Sequence, residues 1–162
     1  MRLTRGGNTI MSNMPSEIRD LVEFRLRATG DVLINGLGLG IAAQIALANA
    51  DVSTVTVIAI SGDVIGLVAP HIADHRLRVI QADAHNWRAP EGMRWDVVWH
   101  DIWDDICADN LSEMAKPHRR YGRRCDWQGS WCRAECERAG RLWRQSIQRL
   151  ASGDSRRHST TP

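Results

Sequence analysis

The strongest constraint on the fold of this chain is a glycine-rich turn, NGLGLG at residues 35–40, between two apolar segments. The run before it, residues 31–35 (DVLIN), has the composition of a buried strand, and residues 41–49 predict an alanine-rich helix. Glycine permits positive φ and close approach of a ligand to the backbone, while the start of a helix offers unpaired N–H groups. The segment therefore predicts a strand–turn–helix unit that can bind a ligand at its turn.

The spacing of the glycines separates the candidate ligands. The dinucleotide fingerprint G-x-G-x-x-G would need its third glycine at Ile41, whereas this chain has G-x-G-x-G at Gly36, Gly38 and Gly40. A phosphate-binding P-loop would end in G-K-[ST], and no lysine lies nearby. Both phosphate-binding interpretations are weakened. A tight turn that holds no ligand is the structural alternative.

Strand and helix patterns alternate along the rest of the first 122 residues. Apolar runs predict strands at 55–60, 77–82 and 94–100, with a shorter strand at 9–11. Helices are expected after Pro15 and over 63–71, 104–121 and 136–150. This alternation predicts an α/β fold with a mostly parallel sheet and helices on both faces. Because the strand signal then stops, we expect the fold to be truncated after the fourth main strand.

The predicted organisation has four parts. They are an N-terminal strand and helix (1–27), a Rossmann-like core (28–122), a basic C-terminal helix (123–151) and a disordered tail (152–162). Residues 1–115 carry a net charge of −6 and residues 116–162 a net charge of +8. The basic part is expected either to meet an anionic partner or to lie against the acidic body.

Bulk properties exclude several classes of protein. No apolar stretch approaches the roughly 18 residues of a membrane span, and the first residues lack the apolar core of a signal peptide, so a cytoplasmic protein is expected. The four cysteines are then expected to be thiols. The spacing C-x6-C-x3-C from Cys125 to Cys136 lacks the pairing of structural zinc sites, and no metal site is predicted.

Four segments, in order, resemble class I S-adenosylmethionine (SAM) methyltransferases, and more narrowly the spermidine synthase-like group. They are VLINGLGLG (32–40), VTVIAISGDVI (55–65), QADAHNW (81–87) and WDVVWHDIWDD (95–105). The segments MRWDVVWHDIW and RRYGRRCDWQGSW also resemble methyltransferase-like domains encoded by bacteriophages. The resemblance implies a Rossmann-like methyltransferase fold that binds SAM.

The resemblance also implies site residues. The glycine loop would pass under the methionine and ribose of SAM, Asp83 would accept a hydrogen bond from the adenine amino group, and Ala84 would lie beside the ring. The cofactor-binding residues expected on this basis are Asn35, Gly36, Leu37, Gly38, Gly40, Ser61, Asp83 and Ala84. Asp101, at the end of the fourth strand, would face the transferable group, and Asp104 is a second catalytic candidate.

One departure from the family pattern concerns the ribose. Members carry an acidic residue at the end of the second strand, where this chain has Ala59. A charged hydrogen bond contributes on the order of 1.5–3 kcal/mol, so its loss weakens SAM binding by about tenfold to a hundredfold. Ser61 and Asp63, just beyond, are candidates to compensate.

The polar residues outside the loop admit two interpretations each. Asp101 and Asp104 could act as general bases on an amine acceptor, or Asp104 could favour the dipole of the helix that follows. Arg119, Arg120 and the pair Arg123 and Arg124 could contact nucleic-acid phosphates or form a solvated helix end. The sequence thus predicts a SAM-dependent methyltransferase-like or aminopropyltransferase-like domain. The alternative is a non-catalytic module with a protein or nucleic-acid partner.

Overall fold

The computed structural model describes residues 2–5, 8–12, 20–103 and 106–151, with side chains for 20–103 and 106–150. The predicted tail at 152–162, the predicted helix start at Pro15 and the candidate Asp104 lie outside the described residues. In the described part, no helix is both long and apolar enough to cross a membrane.

Seven strands and five helices are described, with one short 3₁₀ helix at Ala69–His71. The strands are β1 (Arg2–Arg5), β2 (Asn8–Ser12), β3 (Gly30–Asn35), β4 (Val52–Ala59), β5 (Leu77–Gln81), β6 (Trp95–His100) and β7 (Cys125–Ser130). The helices are α1 (Val22–Arg27), α2 (Ile41–Leu47), α3 (Gly62–Val68), α4 (Asn110–Tyr121) and α5 (Arg133–Ala151).

Five strands form one parallel sheet in the order β5-β4-β3-β6-β7. The chain runs outward from β3 to β5, returns to place β6 on the other side of β3, and continues outward to β7. The strand order therefore reverses between β3 and β6. In open parallel sheets this reversal opens a crevice at the carboxyl ends of the strands, where ligands bind. Asn35 and His100, directly paired across β3 and β6, end the two strands at that crevice.

The sheet divides the core into two layers because successive side chains of a strand point to opposite faces. Val32 and Ile34 on β3 pack with Phe24 of α1 and with the alanine-rich face of α2. Leu33, between them, faces the other layer, where it packs with Tyr121 of α4. The smaller third cluster, which includes Cys136 and Met114, joins the beginning of α5 to α4.

Every predicted strand is present, including the short one at 9–11, which pairs antiparallel with β1. The prediction for residues 123–151 is wrong in one respect: residues 125–130 form the strand β7, and the helix begins only at Arg133. The sheet therefore continues for one strand beyond the expected truncation. The sequence CDWQGS of β7 gives no strand signal because the strand lies at the edge of the sheet and buries only its two end residues fully.

Two smaller differences concern the segments around β6. The helix predicted over 104–121 begins at Asn110. The connection from β5 to β6, whose sequence contains Pro90 and Gly92, holds turns and no helix.

Candidate functional site

The glycine loop follows β3 directly and turns the chain into α2. Its three glycines have positive φ, +103° at Gly36, +49° at Gly38 and +76° at Gly40. Leu37 and Leu39, between them, are buried, at 5% and 6% exposure. The two leucines anchor the turn in the core, so the half-buried backbone of Gly36 and Gly38 faces the crevice.

Gly36, directly after β3, packs tightly against Asp101, the first residue after β6. A Cβ at this position would lie 1.8 Å from the carbonyl oxygen of Asp101. The Asp101 amide also donates a 2.7 Å hydrogen bond to the carbonyl oxygen of Asn35. The structure thus brings the predicted catalytic Asp101 against the first glycine of the loop, through its backbone.

Gly40 has a packing role. A Cβ there would lie 2.6 Å from Cδ1 of Ile72 and 3.0 Å from Cγ1 of Val68. Val68 is the last residue of α3, and Ile72 follows shortly after it. The absence of a side chain at Gly40 therefore lets the start of α2 pack closely against this segment. The requirement for glycine at position 40 is explained by packing of these helices, without a ligand.

The end of β4 lies beside the glycine loop. Ala59 is the last residue of the strand and is buried, and its carbonyl oxygen accepts a 2.9 Å hydrogen bond from the Ala82 amide. The Ser61 hydroxyl accepts a hydrogen bond from the Val64 amide at 3.3 Å and caps α3. Between them Ile60 is 67% exposed. This edge of the crevice therefore offers an alanine, a capping serine and an exposed apolar side chain.

Asp83 and Ala84 follow β5 at the same edge. The carboxylate of Asp83 accepts hydrogen bonds from the His85 amide and from the side-chain amide of Asn86. It thereby fixes the turn that follows the strand. Ala84 is buried with the side chains of the second core layer.

A buried polar chain runs from the glycine loop to the edge strand, and the sequence analysis did not predict it. The side-chain amide of Asn35 donates to Nδ1 of His100 at 2.9 Å, and Nε2 of His100 lies 3.3 Å from the Oε1 atom of Gln128 on β7. A neutral imidazole with its proton on Nε2 satisfies both contacts. Gln128 in turn donates to the carbonyl oxygen of His118 at 2.9 Å.

His100 and His118, the two histidines of this hydrogen-bonded network, are held neutral. Burial, with smaller contributions from the nearby His118 and His85, lowers the pKa of His100 to about 3, against the opposing effect of the hydrogen bond with Gln128. Burial and then the charge of Arg133 lower the pKa of His118. Nε2 of His118 lies 2.7 Å from the Ser130 hydroxyl, and Arg133 reaches its Nδ1 at 3.4 Å. The imidazoles therefore act as hydrogen-bonding groups at neutral pH.

Two polar atoms beside this hydrogen-bonded network make no hydrogen bond of normal geometry within the described part of the protein, although Tyr121 interacts with Asn35 and Arg120. They are the Asn35 amide oxygen and the Tyr121 hydroxyl, both buried. Burial raises the pKa of Tyr121, which keeps its hydroxyl protonated. Buried polar atoms of this kind are usually satisfied by water or a ligand. Asn35 therefore contributes to the site in two ways: it directly precedes the glycine loop, and it places a buried polar side chain there.

The four arginines predicted as a nucleic-acid contact divide into two pairs. Arg120 donates to the carbonyl oxygens of Ala84 and Trp87, and Arg124 donates to that of Pro90. These two side chains hold the connection from β5 to β6. Arg119 and Arg123 are exposed.

The carboxyl ends of β3 to β6 bring most of the predicted site residues to one edge of the sheet. Those residues are Asn35, Gly36, Leu37, Gly38, Gly40, Ser61, Asp83, Ala84 and Asp101. Ile60 and His100 also lie at this edge, and the sequence analysis did not assign them to the site. The signals for them were an apolar residue directly after a buried strand and a histidine in register with Asn35.

Solved structures that are similar to this chain include two methyltransferases. The 23S rRNA methyltransferase ErmE gives a TM-score of 0.56 at 16% identity, covering 75% of this chain and 46% of ErmE. The N-methyltransferase NodS from Bradyrhizobium japonicum WM9 gives 0.55 at 13% identity, covering 71% of this chain and 65% of NodS. The fold is the Rossmann-like methyltransferase fold. Identities this low show the fold and not the activity.

The chain spans less than two thirds of the length of either structure. No protein-family model matches the sequence, and no curated protein matches it.

Proposed function

We propose that this chain binds SAM at the glycine loop and acts as a methyltransferase-like domain. The observation that carries the proposal is the glycine loop, with positive φ at Gly36 and Gly38, placed at the reversal of strand order and packed against Asp101, the first residue after β6. Ligands of open parallel sheets bind at such a crevice. The methyltransferase fold of the two similar structures supports the same ligand.

The residues around the loop fit SAM in part. Gly36, Leu37, Gly38 and Gly40 would hold the methionine and ribose moieties, with Asn35 fixing the start of the loop through its amide. Asp83 keeps acceptor capacity for the adenine amino group, because each carboxylate oxygen can accept two hydrogen bonds. Ala84 supports that turn from the core. Ile60 offers an exposed apolar surface to a planar base.

The ribose contact is the weak point of the fit. Ala59 offers no acceptor, and the Ser61 hydroxyl already caps α3. We therefore propose that SAM binds weakly, with Ser61 contributing a second, shared hydrogen bond. SAM brings an activated methyl group, or an aminopropyl group in its decarboxylated form, so the protein contributes mainly positioning. Asp101, and Asp104 beyond the described residues, would accept a proton from an amine acceptor.

Ala59→Glu tests this placement of the ribose. A carboxylate at the end of β4 would hydrogen-bond the ribose hydroxyls, and we expect the dissociation constant for SAM to fall by about tenfold to a hundredfold. Calorimetric titration with SAM, S-adenosylhomocysteine and decarboxylated SAM measures the change and the preferred cofactor. Ala59→Gln is the control, since it has nearly the same size without the charge. Equal affinities in all three proteins would contradict the proposed ribose position.

A nucleic-acid partner is the second candidate, favoured by the exposed Arg119 and Arg123 on a segment of net positive charge. We expect Arg119→Ser with Arg123→Ser to weaken binding of a short RNA duplex and to reduce the salt slope by about two. The matched control, Arg25→Ser with Arg78→Ser, removes two exposed charges elsewhere. A salt series of gel shifts measures both, and equal loss in the two double variants would contradict a specific contact.

A further inference from the structure

The last three turns of α5 carry an apolar stripe that the described part of the chain leaves exposed. Trp143, Ile147 and Leu150 recur at helical spacing and are 67%, 47% and 82% exposed. The stripe continues the line of Cys136, which is fully buried against α4. Exposed apolar surface of this extent, continuous with a packed face, marks an interaction site.

The same three turns are strongly basic. Residues 141–151 contain three arginines, Arg141, Arg144 and Arg149, and no acidic residue. At 100° per residue, Arg141 and Arg144 lie away from the apolar stripe. The end of α5 is therefore an amphipathic helix whose partner must offer an apolar floor and negative charge.

An open groove of about 680 Å³ with these properties lies between α1, β7 and the first turns of α5. Its floor includes Val22 and Leu26 of α1, which are 50% and 79% exposed, and the parallel rings of Trp99 and Trp127, whose centroids are 6.3 Å apart. Gly129 makes this floor possible, because a Cβ there would lie 2.5 Å from one ring and 2.7 Å from the other.

The rim of the groove is acidic. Asp20 and Glu23 lie on the α1 side, and Glu135 and Glu137 on the α5 side, against the single cation Arg133 among the described lining residues. Glu137 pairs with Arg133 at 3.1 Å, and Glu135 pairs with Arg138 of the same helix. The four acidic residues still outnumber these two arginines. The charge of the groove thus complements that of the α5 end, and both surfaces are apolar at their centre.

The end of α5 cannot lie in the groove of its own chain. The first turns of this continuous helix, Arg133 to Glu137, form one wall of the groove. Since a helix rises 1.5 Å per residue, Trp143 lies about 12 Å further along the same axis than Glu135, and a continuous helix cannot fold back onto its own first turns. The end of α5 can therefore reach such a groove only on another molecule.

We propose that the chain forms a two-fold symmetric dimer in which the end of α5 of each copy lies in the α1–β7 groove of the other. Two antiparallel α5 helices place the end of each beside the first turns of its partner, so one two-fold axis makes both contacts. The arrangement is helix-in-groove recognition, with Trp143 as the aromatic anchor. It is independent of SAM binding.

Sedimentation equilibrium of the full chain from micromolar to about 100 µM tests the proposal. We expect a mass of two chains, and at least about a thirtyfold rise in the dimer dissociation constant for Trp143→Glu and for Leu26→Glu. Leu67→Glu, at an equally exposed site on α3 outside the groove, is the control and should dimerise normally. Circular dichroism and thermal unfolding check that each variant is folded.

Mixing the variants tests the reciprocal contact. Trp143→Glu keeps its groove and Leu26→Glu keeps its helix, so an equimolar mixture should regain a heterodimer with one intact contact. A monomeric wild type overturns the proposal. So does a dimer that Leu26→Glu leaves unchanged, because two α5 helices would then pair without the groove. Binding of monomers to vesicles containing anionic lipid, abolished by Trp143→Glu alone, would assign the α5 end to a membrane surface instead.

Discussion

Gly36→Ala is expected to destabilise the protein by about 4 kcal/mol and to abolish SAM binding in the fraction that folds. The φ of +103° is unfavourable for a residue with a Cβ, at a cost of about 1–3 kcal/mol. The added methyl group would also overlap the Asp101 carbonyl oxygen, 1.8 Å away, and overpacking costs about 1–3 kcal/mol more. Relief of the overlap requires β3 and β6 to separate at the crevice.

Substitutions at two other glycines allow the backbone cost and the overpacking cost to be measured separately. At Gly92 a Cβ would meet no atom within 4 Å but φ is +76°, so Gly92→Ala measures the backbone cost alone. Gly66, inside α3 with open space around it, has neither problem. Gly66→Ala should stabilise the protein by about 0.5–1 kcal/mol, because alanine is the better helix former. Urea unfolding of the three variants gives the free energies.

The outcome that counts against this account of the crevice is a Gly36→Ala protein as stable as Gly92→Ala. The contact between Gly36 and Asp101 would then be loose, and the glycine loop would not be held against β6. Loss of SAM binding in a Gly36→Ala protein of near-normal stability would place the requirement for glycine in the ligand contact instead.

The sheet could be predicted from the sequence wherever a strand is buried on both faces. The strands β3, β4 and β6 each contain an uninterrupted apolar run, at residues 32–34, 57–59 and 97–99, and such runs are typical of central parallel strands. The edge strand β7 has no such run. Its Gly129 and Gln128 serve the stacked tryptophan rings and the buried polar chain, which are contacts between residues distant in sequence. Local pattern therefore could not identify it.

The position of the candidate site could be predicted from the sequence, but the contacts between its residues could not. Glycine spacing and strand order predict the loop and the edge of the sheet on which it lies. The pairing of Asn35 with His100 depends on the register of β3 against β6, and no residue pattern gives that register. The hydrogen bonds from Arg120 and Arg124 to carbonyl oxygens between β5 and β6 could not be predicted either. A cluster of arginines has the same sequence pattern whether its side chains are solvated or bound to the protein.

The buried polar chain leads to a specific pH dependence of stability. In the unfolded chain His100 takes up a proton below about pH 6.5, whereas burial lowers its pKa to about 3 in the folded protein. Between these values the unfolded state binds more protons, so the free energy of unfolding falls as the pH falls, by up to about 1.4 kcal/mol per pH unit. We expect His100 alone to remove about 2 kcal/mol between pH 6.5 and 4.5.

His100→Gln isolates this contribution, because glutamine can hydrogen-bond but does not titrate. The variant loses packing against Tyr121 and His118 and should be less stable at pH 7, yet its stability should fall less steeply between pH 6.5 and 4.5. His75→Gln is the control, since the His75 side chain is 95% exposed. Asp74, whose pKa the hydrogen bonds from Arg76 lower to about 2, acts only below its ordinary value of 3.8 and does not enter this range. Urea unfolding across the range gives the slopes, and equal slopes for His100→Gln and the wild type would show that His100 is not held neutral by its burial.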